Sequence, residues 1–151
     1  DITKANILAE EMGQLKNSIT KGQGNIHEFL VEIIVSKCLG IEISNTYDYD
    51  MVLNNIKIDV KTKRVTTPPK DYYECSVVGL NTKQTCVVYV FTILLKDMTR
   101  RWILGYLNKE DYFKKSTFLK QGEVDPSNNW KVSTDCYNLS INKLNTIEEL
   151  I

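Results

Sequence analysis

Two periodicities divide the middle of this chain. From Ile26 to Leu39 apolar residues crowd almost every side of a helical wheel, whereas Ile56, Ile58 and Val60 alternate with polar residues after Asn54-Asn55, and Met51-Val52-Leu53 precedes that pair. The first pattern predicts a buried helix and the second a strand-turn-strand unit with one apolar face. Asn25 supplies the helix cap, Glu28 sits three residues on as its capping-box partner, and Gly40 ends the helix. Upstream, residues 1–19 carry apolar Ile2, Ile7, Leu8, Met12, Leu15 and Ile19 at helical spacing, and a Gly-rich joint follows. Downstream, YYECSVV, CVVYVFTILL, RWILGYL and CYNLSIN read as strands, with CVVYVFTILL central because it is apolar on both faces. NKEDYFKKSTFLKQG is expected to be helical in parts, TTPPKD and DPSNN to be turns, and TIEELI a short final helix. The expected class is mixed α/β or α+β. A single domain spans 1–151, with an N-terminal segment at 1–24, a core at 25–95 and C-terminal strands and helix at 96–151.

Composition narrows the chemistry. The 151 residues are of ordinary globular composition and carry no net charge, so any polyanion site must come from local clustering. One histidine, His27, excludes the multi-histidine metal sites and leaves little room for a Ser-His-Asp triad. The four cysteines form no C-x-x-C pair, which argues against structural zinc and for reduced, mostly buried thiols. No phosphate-binding glycine loop is present, so no nucleotide cofactor is expected. No apolar run is long enough for a membrane helix and no basic-then-apolar leader opens the chain, so a cytoplasmic protein is expected, in the host cytoplasm if viral.

The hairpin carries the unusual chemistry. A two-residue turn at Asn54-Asn55 pairs positions whose numbers sum to 109, since Asn tolerates the positive φ of such turns. Met51, Leu53, Ile56, Ile58 and Val60 then share one face, while Asp48, Asp50, Val52, Lys57, Asp59, Lys61 and Lys63 share the other. Asp50 is thereby set opposite Asp59. Two carboxylates across a strand pair repel unless a cation lies between them, and paired carboxylate oxygens are what Mg²⁺ takes. Lys61 brings an ammonium to the same face, where it can orient or deprotonate an attacking water and balance phosphate charge. The bland alternative is a solvated face of Asp–Lys pairs such as Asp48 with Lys61. Glu32 tips the balance, because it sits among Phe29, Leu30, Val31, Ile33, Ile34 and Val35, where a carboxylate is costly unless partnered.

Glu32 on the helix, Asp50 in YDYDMVL and the Asp59-Val60-Lys61 triplet together resemble the PD-(D/E)XK nuclease superfamily. The likeness covers residues 25–63, and the later strands look like small phage-type members. No Pro precedes the Asp, and Asp48 in the YDYD repeat rivals Asp50. The resemblance implies a restriction-endonuclease-like core, a central mixed sheet flanked by helices. It also implies Mg²⁺-dependent hydrolysis of DNA phosphodiesters, with Mn²⁺ able to substitute. Carried over, Asp50 and Asp59 hold metal, Glu32 holds metal or its water, and Lys61 assists the nucleophile. Asp48 and Glu28 are second choices.

DNA contact is expected from Lys57, Lys63, Arg64 and Lys70, five basic residues with Lys61 against one acid over 57–70, and from Gln84. The aromatics Tyr72, Tyr73, Tyr89, Phe91, Trp102 and Tyr106 are expected in the core. A homodimer is the expected assembly. A DNA-binding or assembly module without turnover is the competing function.

Overall fold

The computed structural model describes residues 26–44, 46, 48–70, 72–79, 85–127 and 129–150, and the side chains from Leu30 onward. The helix expected at 1–19, the cap Asn25 and Gln84 therefore lie outside the described residues. The described chain runs α1 (Ile26–Leu39), β1 (Met51–Leu53), β2 (Ile56–Val65), β3 (Glu74–Val78), β4 (Val88–Leu95), β5 (Arg101–Asn108), α2 (Lys109–Lys115), β6 (Thr117–Leu119) and β7 (Cys136–Ser140). Two single 3₁₀ turns follow, Ile141–Lys143 and Ile147–Glu149. The class is mixed α+β, with strands predominating.

The strands form two sheets, ordered β1-β2-β4-β5 and β3-β7-β6. In the larger one β2 and β4 run parallel, while β1 with β2 and β4 with β5 are antiparallel. Helix α1 covers one face: Val35 and Leu39 pack with Met51, Ile58, Val88 and Val90, and Leu30 and Val31 pack with Leu94. The opposite face, through Tyr89, Phe91 and Leu107, meets Cys75, Val77 and Leu139 of the smaller sheet and Tyr112 of α2. Strand β4 is therefore buried on both sides, as its unbroken apolar run requires.

Local chemistry explains where the elements stop. Helix α1 ends at Gly40, whose φ of 70° lets the Ile41 amide return to the Ser36 carbonyl at 3.0 Å, while the Ser36 hydroxyl donates to the Ile41 carbonyl. Gly105 has φ 146°, and a Cβ there would come within 2.2 Å of the Asn145 carbonyl oxygen. That glycine lets the C-terminal segment pair with β5 at Tyr106 and Asn145.

Two expectations need correction. The strand expected from Tyr72 begins at Glu74, because the loop after Pro68 and Pro69 continues to Tyr73. Tyr72 is consequently exposed rather than core. The Thr117–Leu119 stretch, expected within a partly helical segment, is a strand paired with β7. None of the four cysteines is in a disulfide; Cys75, Cys86 and Cys136 are buried and Cys38 is exposed. Among the described residues no helix is long and apolar enough to cross a membrane.

Candidate active site

The hairpin that carries the acidic residues closes as its sequence dictates. Asn54 and Asn55 take φ of 48° and 68°, the left-handed pair of a type I′ turn. Met51 faces Ile58, Val52 faces Lys57 and Leu53 faces Ile56, so each pair sums to 109. Met51 and Ile58 are fully buried under α1, which places Asp59 and Lys61 on the opposite face of β2.

The regular ladder stops at Met51, one residue short of the expected Asp50–Asp59 pair. The Asp50 amide donates to the Ile58 carbonyl at 2.8 Å, a residue out of register. Its side chain then turns into the ladder, and Oδ2 accepts the Val60 amide at 2.7 Å. Asp50 is thus oriented by backbone and belongs to the sheet rather than to a solvated face. The two carboxyls still meet. Burial pushes the Asp50 carboxyl up to about 8; the Asp59 and Glu32 charges and a side-chain hydrogen bond with Asp59 add to this, against the Val60 amide, which lowers it. Two predicted acids, Glu32 on α1 and Asp59 on β2, therefore act on a third, Asp50, just before β1.

Asp59 is 5% exposed, so it does not lie on the open, solvated face of the bland alternative. It lies beside Tyr89, its β4 partner, and close to Cys86, both buried in the core shared with the smaller sheet. Lys61 Nζ lies 2.6 Å from Asp59 Oδ2 and 5.6 Å from the centre of the Tyr89 ring. An ammonium in contact with a buried carboxylate is a strong charge-assisted pairing. Burial and the nearby Asp59 charge also push the Cys86 thiol up to about 11, which keeps it protonated and inert. Among the described residues no group of three or more His, Cys, Asp and Glu forms a ready-made metal cluster. The donor set is two adjoining carboxyls with a third acting on them.

The remaining predicted residues divide. Asp48 lies before the ladder, its Oδ1 3.4 Å from the Thr85 amide, so β1 makes no backbone pairing that would set it opposite Lys61. Glu28 lies in the first turn of α1. Lys57 stands at the turn end of β2 over the Tyr49 ring at 5.1 Å. At the other end of β2, Lys63 and Arg64 line a groove of about 430 Å³ with Tyr72, Glu74, Lys96 and Trp130. Lys70 is exposed with its ammonium 5.9 Å from the Tyr72 ring centre.

Sequence reasoning missed Tyr89 as the wall of the site, and Lys96 and Trp130 in the groove. Tyr89 follows from the parallel β2–β4 register, which no local pattern encodes. Trp130 had a signal, an aromatic directly after the DPSNN turn. No protein-family model matches the chain and no curated protein is significantly similar to it.

Proposed function

We propose that this chain is a metal-dependent DNA endonuclease with a restriction-endonuclease-like core, hydrolysing phosphodiester bonds through Glu32, Asp50, Asp59 and Lys61. The observation that carries the reading is the Asp50 carboxyl, raised by burial and by the Asp59 and Glu32 charges, beside the Lys61–Asp59 pair. Crowded buried carboxylates are unfavourable as bare anions, and they fit a divalent cation that would neutralise them. Asp50 and Asp59 would hold that ion, with Glu32 completing the acidic surround. When bound, Mg²⁺ supplies polarisation of the phosphoryl oxygen and a nucleophilic water at neutral pH.

The chain's own groups do the rest. The Val60 amide fixes the direction of the Asp50 carboxylate, so a ligand oxygen is presented without searching rotamers. Asp59 holds the Lys61 ammonium at 2.6 Å, which keeps a cation where a phosphate's charge must be balanced. Burial beside Tyr89 and Cys86 keeps water from Asp59, which strengthens these interactions.

Incubation with plasmid, linear duplex, single-stranded oligonucleotide and a four-way junction tests the proposal. Cleavage of at least one substrate in Mg²⁺, absent in EDTA and lost in Asp59→Ala, is the expected result. DNA binding without cleavage of any substrate would replace it with a binding or assembly module.

A further inference from the structure

Strand β2 leads out of the acidic site into the 430 Å³ groove. Lys63 is four residues beyond Asp59 on the same face, so the groove begins about 13 Å from that carboxylate. Its lining sets three cations, Lys63, Arg64 and Lys96, against one acid, Glu74. Glu74 is already engaged, with Oε1 2.7 Å from the Ser127 hydroxyl and a side-chain hydrogen bond to Asp125. The groove is therefore a local cationic strip on a chain of zero net charge.

Two large rings stand in solvent at its walls: Tyr72 is 69% exposed and Trp130 is 71% exposed. Rings of this size normally bury, and exposed ones beside cations point to a ligand with flat apolar faces. Trp130 is held out rather than left loose. The Asp125 amide donates to the Trp130 carbonyl at 2.8 Å, Val124 pairs with Lys131, and Asn129 takes the left-handed turn position at φ 58°. The Asp125 carboxylate, 4% exposed, accepts the Ser127 amide at 2.9 Å and Asn138 Nδ2 at 3.2 Å, tying that turn to β7. Tyr72 is flanked by the Lys70 ammonium.

We propose that this groove binds an unpaired DNA strand, with phosphates on Lys63, Arg64 and Lys96 and bases stacked on Tyr72 and Trp130. Cations that track a backbone and rings that take base faces are the two elements of single-strand binding. In a duplex those faces are covered by neighbouring bases, so the rings discriminate in favour of unpaired nucleotides. Strand β2 then connects the bound strand to Asp59 and Lys61. This deepens the nuclease reading by naming its substrate class, and only the delivery step rests on that reading.

Fluorescence anisotropy in EDTA, with end-labelled oligo(dT) and a hairpin duplex of equal nucleotide length, tests the binding without turnover. The single strand should bind at least tenfold tighter. Trp130→Ala and Tyr72→Ala should each weaken it about tenfold and leave duplex binding unchanged, because one base stack is lost. Trp130→Phe should restore most of the affinity, and Lys63→Ala should lower the salt slope by about one. Melting curves accompany each variant. Duplex binding as tight as the single strand, unchanged affinity in both alanine variants, or displacement by poly-glutamate as effective as by oligo(dT) would overturn the proposal. Retained stacking-dependent binding with no cleavage under any metal would remove the nuclease reading and leave this site. Asp59-dependent cleavage with no effect of Trp130→Ala on binding would do the reverse.

Discussion

The crowded Asp50 carboxyl makes the metal-free protein sensitive to pH in a direction opposite to that of an ordinary salt-bridged acid. Its folded pKa rises from 3.8 to about 8, so between those values the folded chain holds a proton the unfolded chain has released. Stability contributed by this group is therefore greatest at low pH and is lost as pH rises through that window. The limiting slope for one proton is about 1.4 kcal/mol per pH unit. For a chain of this length that corresponds to roughly 3–5 °C in melting temperature per pH unit. Asp50→Asn keeps the size and an acceptor for the Val60 amide but cannot ionise, so it removes the slope. Calorimetric melts of both proteins in EDTA at pH 5, 6 and 7 give the comparison. Relative to the variant, wild type should lose about 6–10 °C between pH 5 and 7. Saturating Mn²⁺ should flatten the wild-type line and leave the variant unchanged. Parallel melting lines in EDTA would mean that Asp50 ionises like a solvated carboxyl, and the crowding argument would fail.

The two helix glutamates are separated by paired melts and cleavage assays. Glu32→Gln should keep the fold and lower turnover on the order of 10²-fold, because it removes a charge acting on Asp50. Glu28→Gln should cost on the order of 0.5–1 kcal/mol through the helix start and leave turnover near wild type; activity lost only in Glu28→Gln would move the catalytic glutamate one turn earlier. Burial pushes Asp125 up, but hydrogen bonds from Glu74, from the Ser127 amide and hydroxyl and from Asn138 outweigh it and hold the carboxyl at about 2. Asp125→Ala should therefore cost about 2–3 kcal/mol at pH 7, a deficit that shrinks as pH falls from 4 toward 2, and chemical denaturation across that range measures it.

What the sequence made legible is the set of features written in neighbouring residues. Asn54-Asn55 could only be a tight turn, and alternation then fixed which residues of β2 face α1. Gly40 marked the helix end, and the doubly apolar CVVYVFTILL marked the central strand. That Glu32 and Asp59 would act on Asp50, with Lys61 beside Asp59, was legible for the same reason, since helix and hairpin are adjacent in the chain. Features that depend on distant segments were not legible. The burial of Asp59 depends on its neighbours Tyr89 and Cys86, which a parallel pairing with β4 brings from elsewhere in the chain. The shift at Asp50 arises where its carboxylate takes the Val60 amide in place of a strand carbonyl, a competition between side chain and backbone that alternation ignores. The groove joins β2, the Tyr72 loop, the turn after β4 and the Trp130 turn, four segments that only tertiary packing brings together.

The most direct test of the central claim, that Asp50 and Asp59 form a metal-binding catalytic pair, is Mn²⁺ titration calorimetry at pH 7 in two buffers of different ionisation enthalpy. A carboxyl whose pKa is raised to about 8 is mostly protonated at that pH, so binding must displace its proton. The expected result is one ion bound with release of roughly 0.9 proton, with Asp50→Asn losing the site and Asp48→Asn only weakening it. Mn²⁺ binding with no proton release and unchanged in Asp50→Asn, or no binding by the wild-type protein, would contradict the assignment.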